Sequence, residues 1–210
     1  MVLYVLLLWA SLSLVDWNSL ERQSLWGTSG TDLFAISILM ALLHHFYVWF
    51  VWRSELCYRS ISSLLGRNGF RVYSIGFAVI GIVRVLSVLL VGIVDYQSLH
   101  IHGPILWTIV AVFAVPMLYT FYSILRFFGY ERAVGGDHFF HKYREMPFVR
   151  KGIFRFTSNA MYAFGLLILP LIGLICESES ALTLGVFHYL TGWAHYYCTE
   201  KPDIQVIYGD

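Results

Sequence analysis

Long apolar runs separated by short polar stretches constrain this chain more than any other feature of its sequence. Most of the runs approach the roughly 20 residues that a helix needs to cross a bilayer. Six are found, at 2–15, 33–52, 72–94, 104–128, 153–176 and 181–198. Because backbone polar groups inside a bilayer must be hydrogen-bonded within the protein, the pattern predicts an all-α polytopic transmembrane bundle of about six spans.

Composition agrees with a membrane protein and argues against several other classes. Hydrophobic residues make up 58% of the chain and charged residues 13%, whereas soluble domains carry about 25% charged residues. No basic tail or basic aromatic face indicates nucleic-acid binding. The three cysteines form no CxxC pair, which favours neither a disulfide framework nor a zinc site. His100 and His102 have no third ligand nearby, so no metal site is expected.

Lysine and arginine are concentrated in two of the polar stretches, which predicts the orientation in the membrane. Stretches 53–71 and 129–152 are basic, whereas 16–32, 95–103 and 177–180 are neutral or acidic. Basic loops stay on the cytosolic side of a membrane. Both basic stretches and both chain termini are therefore expected in the cytosol.

The chain is expected to have two parts. Residues 1–128 are predicted to form an N-terminal transmembrane scaffold of about four spans. Residues 129–210 contain a polar loop, a helical hairpin and a C-terminal tail. With the predicted topology, the loop, the start of the fifth run and the end of the sixth run lie at one depth on the cytosolic side. This convergence predicts a functional site there.

Polar residues inside the apolar runs need partners, because their exposure to lipid is unfavourable. Arg84 lies near the centre of the third run, where it is either structural or touches an anionic group of a lipid or cofactor. The pair His44 and His45 is expected to face the interior of the bundle, either hydrogen-bonded to neighbours or functional.

The sixth run carries small and polar residues at alternating spacings of three and four. They are Gly185, His188, Gly192, His195 and Thr199. This spacing places them along one face of a helix. The face is interpreted either as a close helix–helix seam with satisfied histidines or as the border of a polar pocket.

Three short motifs within residues 125–210 occur in a fixed order. They are Gly136-Asp137-His138-Phe139-Phe140, Asn159-Ala160-Met161-Tyr162 and Glu200-Lys201-Pro202. Together they resemble the integral-membrane methyltransferases that use S-adenosylmethionine, most closely the phosphatidylethanolamine N-methyltransferases and more distantly the isoprenylcysteine carboxyl methyltransferases. The chain departs from the family pattern at Ala160, where a proline is usual, and at Lys201, where a second glutamate is usual.

The resemblance implies S-adenosylmethionine as cofactor and assigns residues to its site. The implied cofactor-binding residues are Gly135, Gly136, Asp137, Asn159, Tyr162, Gly165, Glu200 and Lys201. Glu200 would accept hydrogen bonds from the cofactor ammonium, and Lys201 or His195 would meet its carboxylate. A base near neutral pH would keep an amine acceptor uncharged, so His195 is the first candidate catalytic residue and His138 the second.

The function expected from these observations is methyl transfer to a lipid or lipid-like acceptor, most simply a phospholipid amine head group. The acceptor would reach the active site, on the cytosolic face, through a lateral opening between helices. Two alternatives stay open at this point. One is a methyltransferase for a prenyl-cysteine carboxylate or a small thiol, and the other is a non-catalytic membrane scaffold that retains the fold.

Overall fold

A computed structural model describes residues 2–209. Met1 and Asp210, at the two ends that are expected in the cytosol, lie outside the described residues. The described chain is 81% helical, which confirms the all-α fold class. In chain order the α-helices are α1 Val2–Ser13, α2 Trp17–Arg22, α3 Gly30–Tyr58, α4 Ser60–Leu65, α5 Gly69–Val94, α6 Gly103–Ser123, α7 Tyr130–Ala133, α8 Gly136–Phe139, α9 His141–Arg144, α10 Ala160–Ala163, α11 Ile168–Ile175, α12 Glu179–His195 and α13 Lys201–Tyr208.

Short elements of other kinds connect these helices. Strands β1 Ser24–Leu25 and β2 Thr28–Ser29 form a small antiparallel hairpin. Turns of 3₁₀ helix lie at Gly66–Asn68, Gly152–Arg155 and Gly165–Leu167, and two π-helical segments lie at Ile124–Phe128 and Tyr196–Glu200. Both π-helical segments extend a long helix, α6 in one case and α12 in the other.

Three helical stretches are long and apolar enough to cross a membrane. They are Gly30–Tyr58, Ser60–Val94 and Gly103–Phe128. Val2–Ser13 and Ala160–Ile175 are apolar but shorter. The chain is therefore a helical membrane protein, while the count of six spans, the cytosolic termini and the division at residue 128 stay predictions.

The core of the bundle is built where α3, α5, α11 and α12 pack together. Phe34 and Ala41 of α3, Val88 of α5 and Leu184 of α12 are completely buried in one cluster. At Gly185 the seam between α11 and α12 is so close that an added Cβ would lie 2.5 Å from the Leu169 carbonyl oxygen. The predicted close seam along the sixth run is therefore present.

The fifth run differs from the single helix that its apolar sequence suggests. It begins with the 3₁₀ turn at Gly152–Arg155 and reaches regular α-helix in α11 only after α10 and a second 3₁₀ turn. Pro170 then lies in the first turn of α11, where its missing N–H leaves no hydrogen bond unmade. The broken backbone leaves room beside α12 for the cavities described below.

The end of the bundle at which α5 finishes and α12 begins is held together by the side chain of Asp95, the residue that follows α5. Its Oδ2 accepts hydrogen bonds from the Ser98 hydroxyl at 2.8 Å, the Ser178 hydroxyl at 2.8 Å and the Ser180 N–H at 2.9 Å. The Ser178 hydroxyl in turn accepts from the Ala181 N–H and so caps α12. These residues are called the Asp95 cluster, and they join the end of α5 to the start of α12.

Candidate functional site

Two cavities meet at the end of the bundle that is remote from the Asp95 cluster. One has a volume of about 450 Å³ and an almost entirely apolar wall. The other has a volume of about 540 Å³ and a mixed wall with several charged groups. Four residues line both of them: Trp52, Ala133, Met161 and Glu200. Both volumes fall in the range of about 300–1,000 Å³ that is usual for ligand sites.

The apolar cavity extends from this junction into the bundle between α5 and α6. Phe77 and Val85 of α5 form part of its wall, and Phe121 of α6 and Leu125 of the following π-helical segment form another part. Phe121 and Leu125 are exposed on the outer surface of the bundle. The cavity therefore extends to side chains that would touch lipid.

Two imidazoles on the wall of the apolar cavity have a ring nitrogen without a partner. The Nε2 atoms of His45 and His195 are buried and make no hydrogen bond. Their rings stack with centroids 5.1 Å apart, and the His195 ring lies 5.9 Å from that of Trp52. Buried polar atoms without partners carry a free-energy cost, so they mark places where a ligand atom can bind.

The polar cavity is lined by groups of both charges and by aromatic rings. Its charged residues are Arg132, Asp137, Arg150, Arg155 and Glu200, and its aromatic ones are Trp52, Phe128, Phe148, Phe154, Phe156, Tyr196 and Tyr208. Trp52 comes from α3, and the chain supplies the others from the connection between α6 and α10 and from the segments that follow α12. Such a wall suits a zwitterionic ligand that also carries a flat ring.

Arg132, Asp137 and Tyr208 form a network beside this cavity. The Arg132 guanidinium donates to the Tyr208 hydroxyl at 3.2 Å and to the Pro147 carbonyl at 3.1 Å, and its Nε lies 3.7 Å from Asp137 Oδ2. The Tyr208 hydroxyl donates to Asp137 Oδ2. Burial, followed by this hydrogen bond, raises the pKa of Tyr208 to about 12. Arg132 Nε and Asp137 Oδ1 are buried with no hydrogen-bond partner.

Glu200 ends the π-helical segment after α12 and faces both cavities. Its carboxylate accepts a hydrogen bond from the Tyr162 hydroxyl. Burial raises the pKa of Glu200 to about 7, and the hydrogen bond from Tyr162 acts in the opposite direction. A cation placed beside this carboxylate would favour its ionised form.

His138 is held in place by contacts on every side. Its Nε2 lies 3.2 Å from Asp203 Oδ2, and its Nδ1 lies 3.3 Å from the Gly135 carbonyl oxygen. The ring stacks on Trp52 with centroids 4.3 Å apart. Asp203 also pairs with Arg53 at 2.9 Å, so His138 helps to fasten α13 to the end of α3.

A backbone turn at Gly135 packs against Trp52, which α3 places at the junction. Gly135 has φ +86°, and an added Cβ would lie 2.5 Å from indole atoms of Trp52. Both the left-handed conformation and the lack of space favour glycine. The turn therefore packs directly against the indole, which lines both cavities.

The structure places eight of the ten predicted site residues on the cavity walls. Gly135, Asp137, His138, Asn159 and Glu200 line the polar cavity, and Tyr162, Gly165, His195 and Glu200 line the apolar one. The remaining two, Gly136 and Lys201, line neither. Gly136 packs against the Glu131 carbonyl, and Lys201 is exposed with its Nζ over the ring of Tyr197.

Three residues that line the cavities were not predicted from the sequence: Trp52, Arg132 and Tyr208. Trp52 belongs to an aromatic and basic sequence, 47–53, that is equally typical of a membrane boundary. Arg132 is one of several arginines in a basic stretch, and only its burial distinguishes it. Within residues 2–209, no group of three or more histidine, cysteine, aspartate or glutamate side chains is arranged to hold a metal ion.

The fold and the two cavities define a helical membrane protein with a bipartite site, one part polar and one part lipid-facing. A comparison with known families gives the particular class. The family described as phospholipid methyltransferase matches residues 105–210, which is half of the chain and includes most of the site. The chain belongs to this family and is a membrane methyltransferase. Comparisons with curated proteins and with solved structures found no match.

Proposed function

We propose that this protein transfers a methyl group from S-adenosylmethionine to a lipid or lipid-like acceptor, with a phospholipid amine head group as the favoured acceptor. The observation that carries the proposal is the meeting of a polar and an apolar cavity at Trp52 and Glu200. A water-soluble donor and a lipid acceptor need separate entrances and one shared point of contact. The family membership supplies the reaction class.

The polar cavity fits S-adenosylmethionine by the chemistry of its unpartnered groups. Arg132 Nε is a buried donor that makes no hydrogen bond and suits the cofactor carboxylate, and Asp137 Oδ1 is a buried acceptor that makes none and suits its ammonium. Phe148 and Tyr208, with ring centroids 4.9 Å apart, offer surface for the adenine. Arg132 takes the role that the sequence analysis gave to Lys201 or His195, because Lys201 lies outside the cavity.

The cofactor supplies an activated methyl group on a sulfonium centre. The chain has to hold the acceptor in line with that methyl group, which accounts for most of the acceleration in such transfers. Glu200 and the face of Trp52 at the junction stabilise positive charge near the transfer point. His195, with its free Nε2, accepts the proton that an amine acceptor must lose. His138 has partners on both ring nitrogens and is assigned to positioning.

We extend the proposal to the arrangement in the membrane. The basic stretches 53–71 and 129–152 both lie at the end of the bundle that holds the site, which supports a cytosolic active-site face. The six-span topology with cytosolic termini agrees with this orientation. The gap between α5 and α6, with exposed Phe121 and Leu125 at its rim, is the proposed lateral opening for the acceptor.

Binding of the cofactor is the first test. Purified protein should be stabilised against heat by S-adenosylmethionine and by S-adenosylhomocysteine. Asp137→Asn should weaken binding about tenfold or more, the effect of losing one charge-assisted contact. Glu145→Gln, at an exposed glutamate of the same connection, is the control and should bind normally. Failure of the unaltered protein to bind either compound would contradict the proposal.

Identification of the acceptor is the second test. The protein, reconstituted with mixed lipids and labelled cofactor, should add one to three methyl masses to lipids with ethanolamine head groups. Methylation of a prenyl-cysteine carboxylate or a small thiol in the same assay, with unchanged phospholipids, would replace the favoured acceptor.

A further inference from the structure

Arg84 lies on the wall of the apolar cavity, within the longest apolar stretch of the chain. The side chain is buried with 4% of its surface exposed. Its Nε donates to His188 Nδ1 at 2.7 Å and one terminal nitrogen donates to the His188 carbonyl at 2.8 Å. The other terminal nitrogen lies 3.5 Å from His44 Nδ1. All of these partners are neutral hydrogen-bond acceptors.

No carboxylate among residues 2–209 forms an ion pair with Arg84. A buried guanidinium without a counter-charge is costly in a protein interior and more so inside a membrane. Three hydrogen-bond partners leave two of its five N–H groups without one. The positive charge and these donors are therefore available to an anion that enters the cavity.

A file of side chains leads from Arg84 to the junction of the cavities. The His44 ring lies 6.2 Å from His45, the His45 ring 5.1 Å from His195, and the His195 ring 5.9 Å from Trp52. Because side chains on a helix lean towards its N-terminus, the guanidinium extends along α5 towards the end that holds the site. Except for this file and the Tyr162–Glu200 pair, apolar residues dominate the wall of the cavity.

We propose that Arg84, with the free Nε2 atom of His45, binds the phosphate of the acceptor lipid inside the apolar cavity. The inference rests on the proposed function and adds a requirement on the acceptor. The apolar wall that accepts lipid chains supplies no counter-charge for Arg84. The acceptor must therefore supply it, as an anionic group beside its nucleophile. A lipid amine without phosphate leaves that charge unpaired and binds more weakly.

The experiment compares three probes on cofactor-free protein in a neutral detergent. They are a short-chain phosphatidylethanolamine, an alkylamine of matched chain length and inorganic phosphate. The phospholipid should bind about tenfold or more tightly than the alkylamine, the ratio expected for a charge-assisted hydrogen bond. Inorganic phosphate should bind weakly, because it has no apolar part to fill the cavity. Strong binding of inorganic phosphate that depends on Arg84 would overturn the assignment to a lipid.

Variants separate recognition from support of the fold. Arg84→Gln should remove the preference for the phospholipid while leaving alkylamine affinity unchanged, and Arg84→Lys should restore part of it. Arg71→Gln, on the exposed side of the same helix, is the control. Equal losses for both lipids in Arg84→Gln would show that Arg84 only ties α5 to α12. Where Arg84→Gln fails to fold, His45→Gln serves instead and should weaken only the phospholipid.

Cofactor binding is measured on the same samples and distinguishes the two proposals. Normal binding of S-adenosylmethionine with no preference between the two lipids would overturn the phosphate subsite and leave the methyltransferase proposal intact. A preference that depends on Arg84, without methyl transfer to any acceptor, would support the subsite and contradict the proposed function.

Discussion

The Asp95 cluster and the polar cavity lie at opposite ends of one bundle, and they treat buried polar groups in opposite ways. In the Asp95 cluster, one carboxylate oxygen accepts three hydrogen bonds from the protein. At the cavities, Arg132 Nε, Asp137 Oδ1 and the Nε2 atoms of His45 and His195 have no hydrogen-bond partner. The first arrangement holds helices together, and the second leaves bonding capacity for ligands.

Whether a buried polar group is hydrogen-bonded within the protein distinguishes groups that support the fold from groups that can bind a ligand. A satisfied buried group already contributes its hydrogen bonds to the fold, whereas an unsatisfied one lowers stability until something binds to it. Substitutions in the Asp95 cluster should therefore lower stability without touching ligand affinity. Substitutions at unsatisfied groups should lower ligand affinity with little loss of stability.

Asp95→Ala should have the largest effect. Three hydrogen bonds to the Asp95 carboxylate are lost, two of them from the start of α12, which should lower the free energy of unfolding by about 4 kcal/mol. Thermal unfolding in detergent measures the change, and cofactor affinity of the folded fraction should stay normal. Glu179→Gln, exposed in the same turn, is the control. A loss of cofactor affinity in Asp95→Ala would break the distinction between the two ends.

Gly135→Ala tests whether the end of the bundle that holds the cavities also contains residues that stabilise the fold. The substitution forces a side chain into a left-handed conformation and against Trp52, which should cost about 3 kcal/mol. Gly209→Ala is a matched control, because Gly209 is also left-handed, with φ +72° and ψ +26°, and has no atom within 4 Å of an added Cβ. The difference in melting temperature between the two variants isolates the contact with Trp52. Equal melting temperatures would remove Trp52 from its supporting role.

Glu200→Gln should weaken S-adenosylmethionine binding by about thirtyfold, or about 2 kcal/mol, through loss of a charge beside the cationic cofactor. The folded-state pKa of Glu200 is raised from 4.5 to about 7, so its contribution to stability is fully present below pH 4.5 and is lost as pH rises through 7. Stability of the variant should lack this decline. A variant that is less stable than the original protein at pH 8 would contradict the assignment.

The same carboxylate predicts proton release on binding. A cation beside Glu200 lowers its pKa, so cofactor binding between about pH 6 and pH 7 should release a proton. Calorimetry in buffers of different ionisation enthalpy measures the number of protons. Glu200→Gln should release none, and Glu145→Gln should behave like the original protein.

Tyr208→Phe should have the smallest effect. It removes the hydrogen bonds that join α13 to Asp137 and Arg132, which should cost about 1 kcal/mol of stability and weaken cofactor binding about fivefold. Tyr197→Phe, at an exposed tyrosine near α13, is the control. An unchanged affinity would show that the C-terminal helix packs beside the cavity without shaping it.

The long apolar helices followed directly from the sequence, because hydrophobicity and length decide whether a segment suits a bilayer. The boundaries of α3, α5 and α6 lie within a few residues of the expected runs, except that α3 extends to Tyr58. The prediction that the fifth run forms a single helix was wrong. Its apolar content was right, but Gly152 and Gly165 allow turns that hydrophobicity alone does not reveal.

The placement of the candidate residues was predicted better than their contacts. Charge distribution and three short motifs predicted that Asp137, Asn159 and Glu200 lie at one end of the bundle. The structure places all three on the wall of the polar cavity. Contacts across long separations could not be read in this way. The Tyr208 hydroxyl reaches Asp137, and Trp52 stacks on His138, through packing that no local pattern encodes.

The π-helical turn at Tyr196–Glu200 makes the site depend on the number of residues as well as on their identity. A π-turn contains one residue more than an α-turn, and the extra residue is accommodated within the turn because each residue there rotates the chain by less than the roughly 100° of an α-helix. Removing one residue would restore α-geometry and abolish the widened turn that ends at Glu200. Chain length in this turn is thus a functional property, and a deletion there would be more damaging than most substitutions.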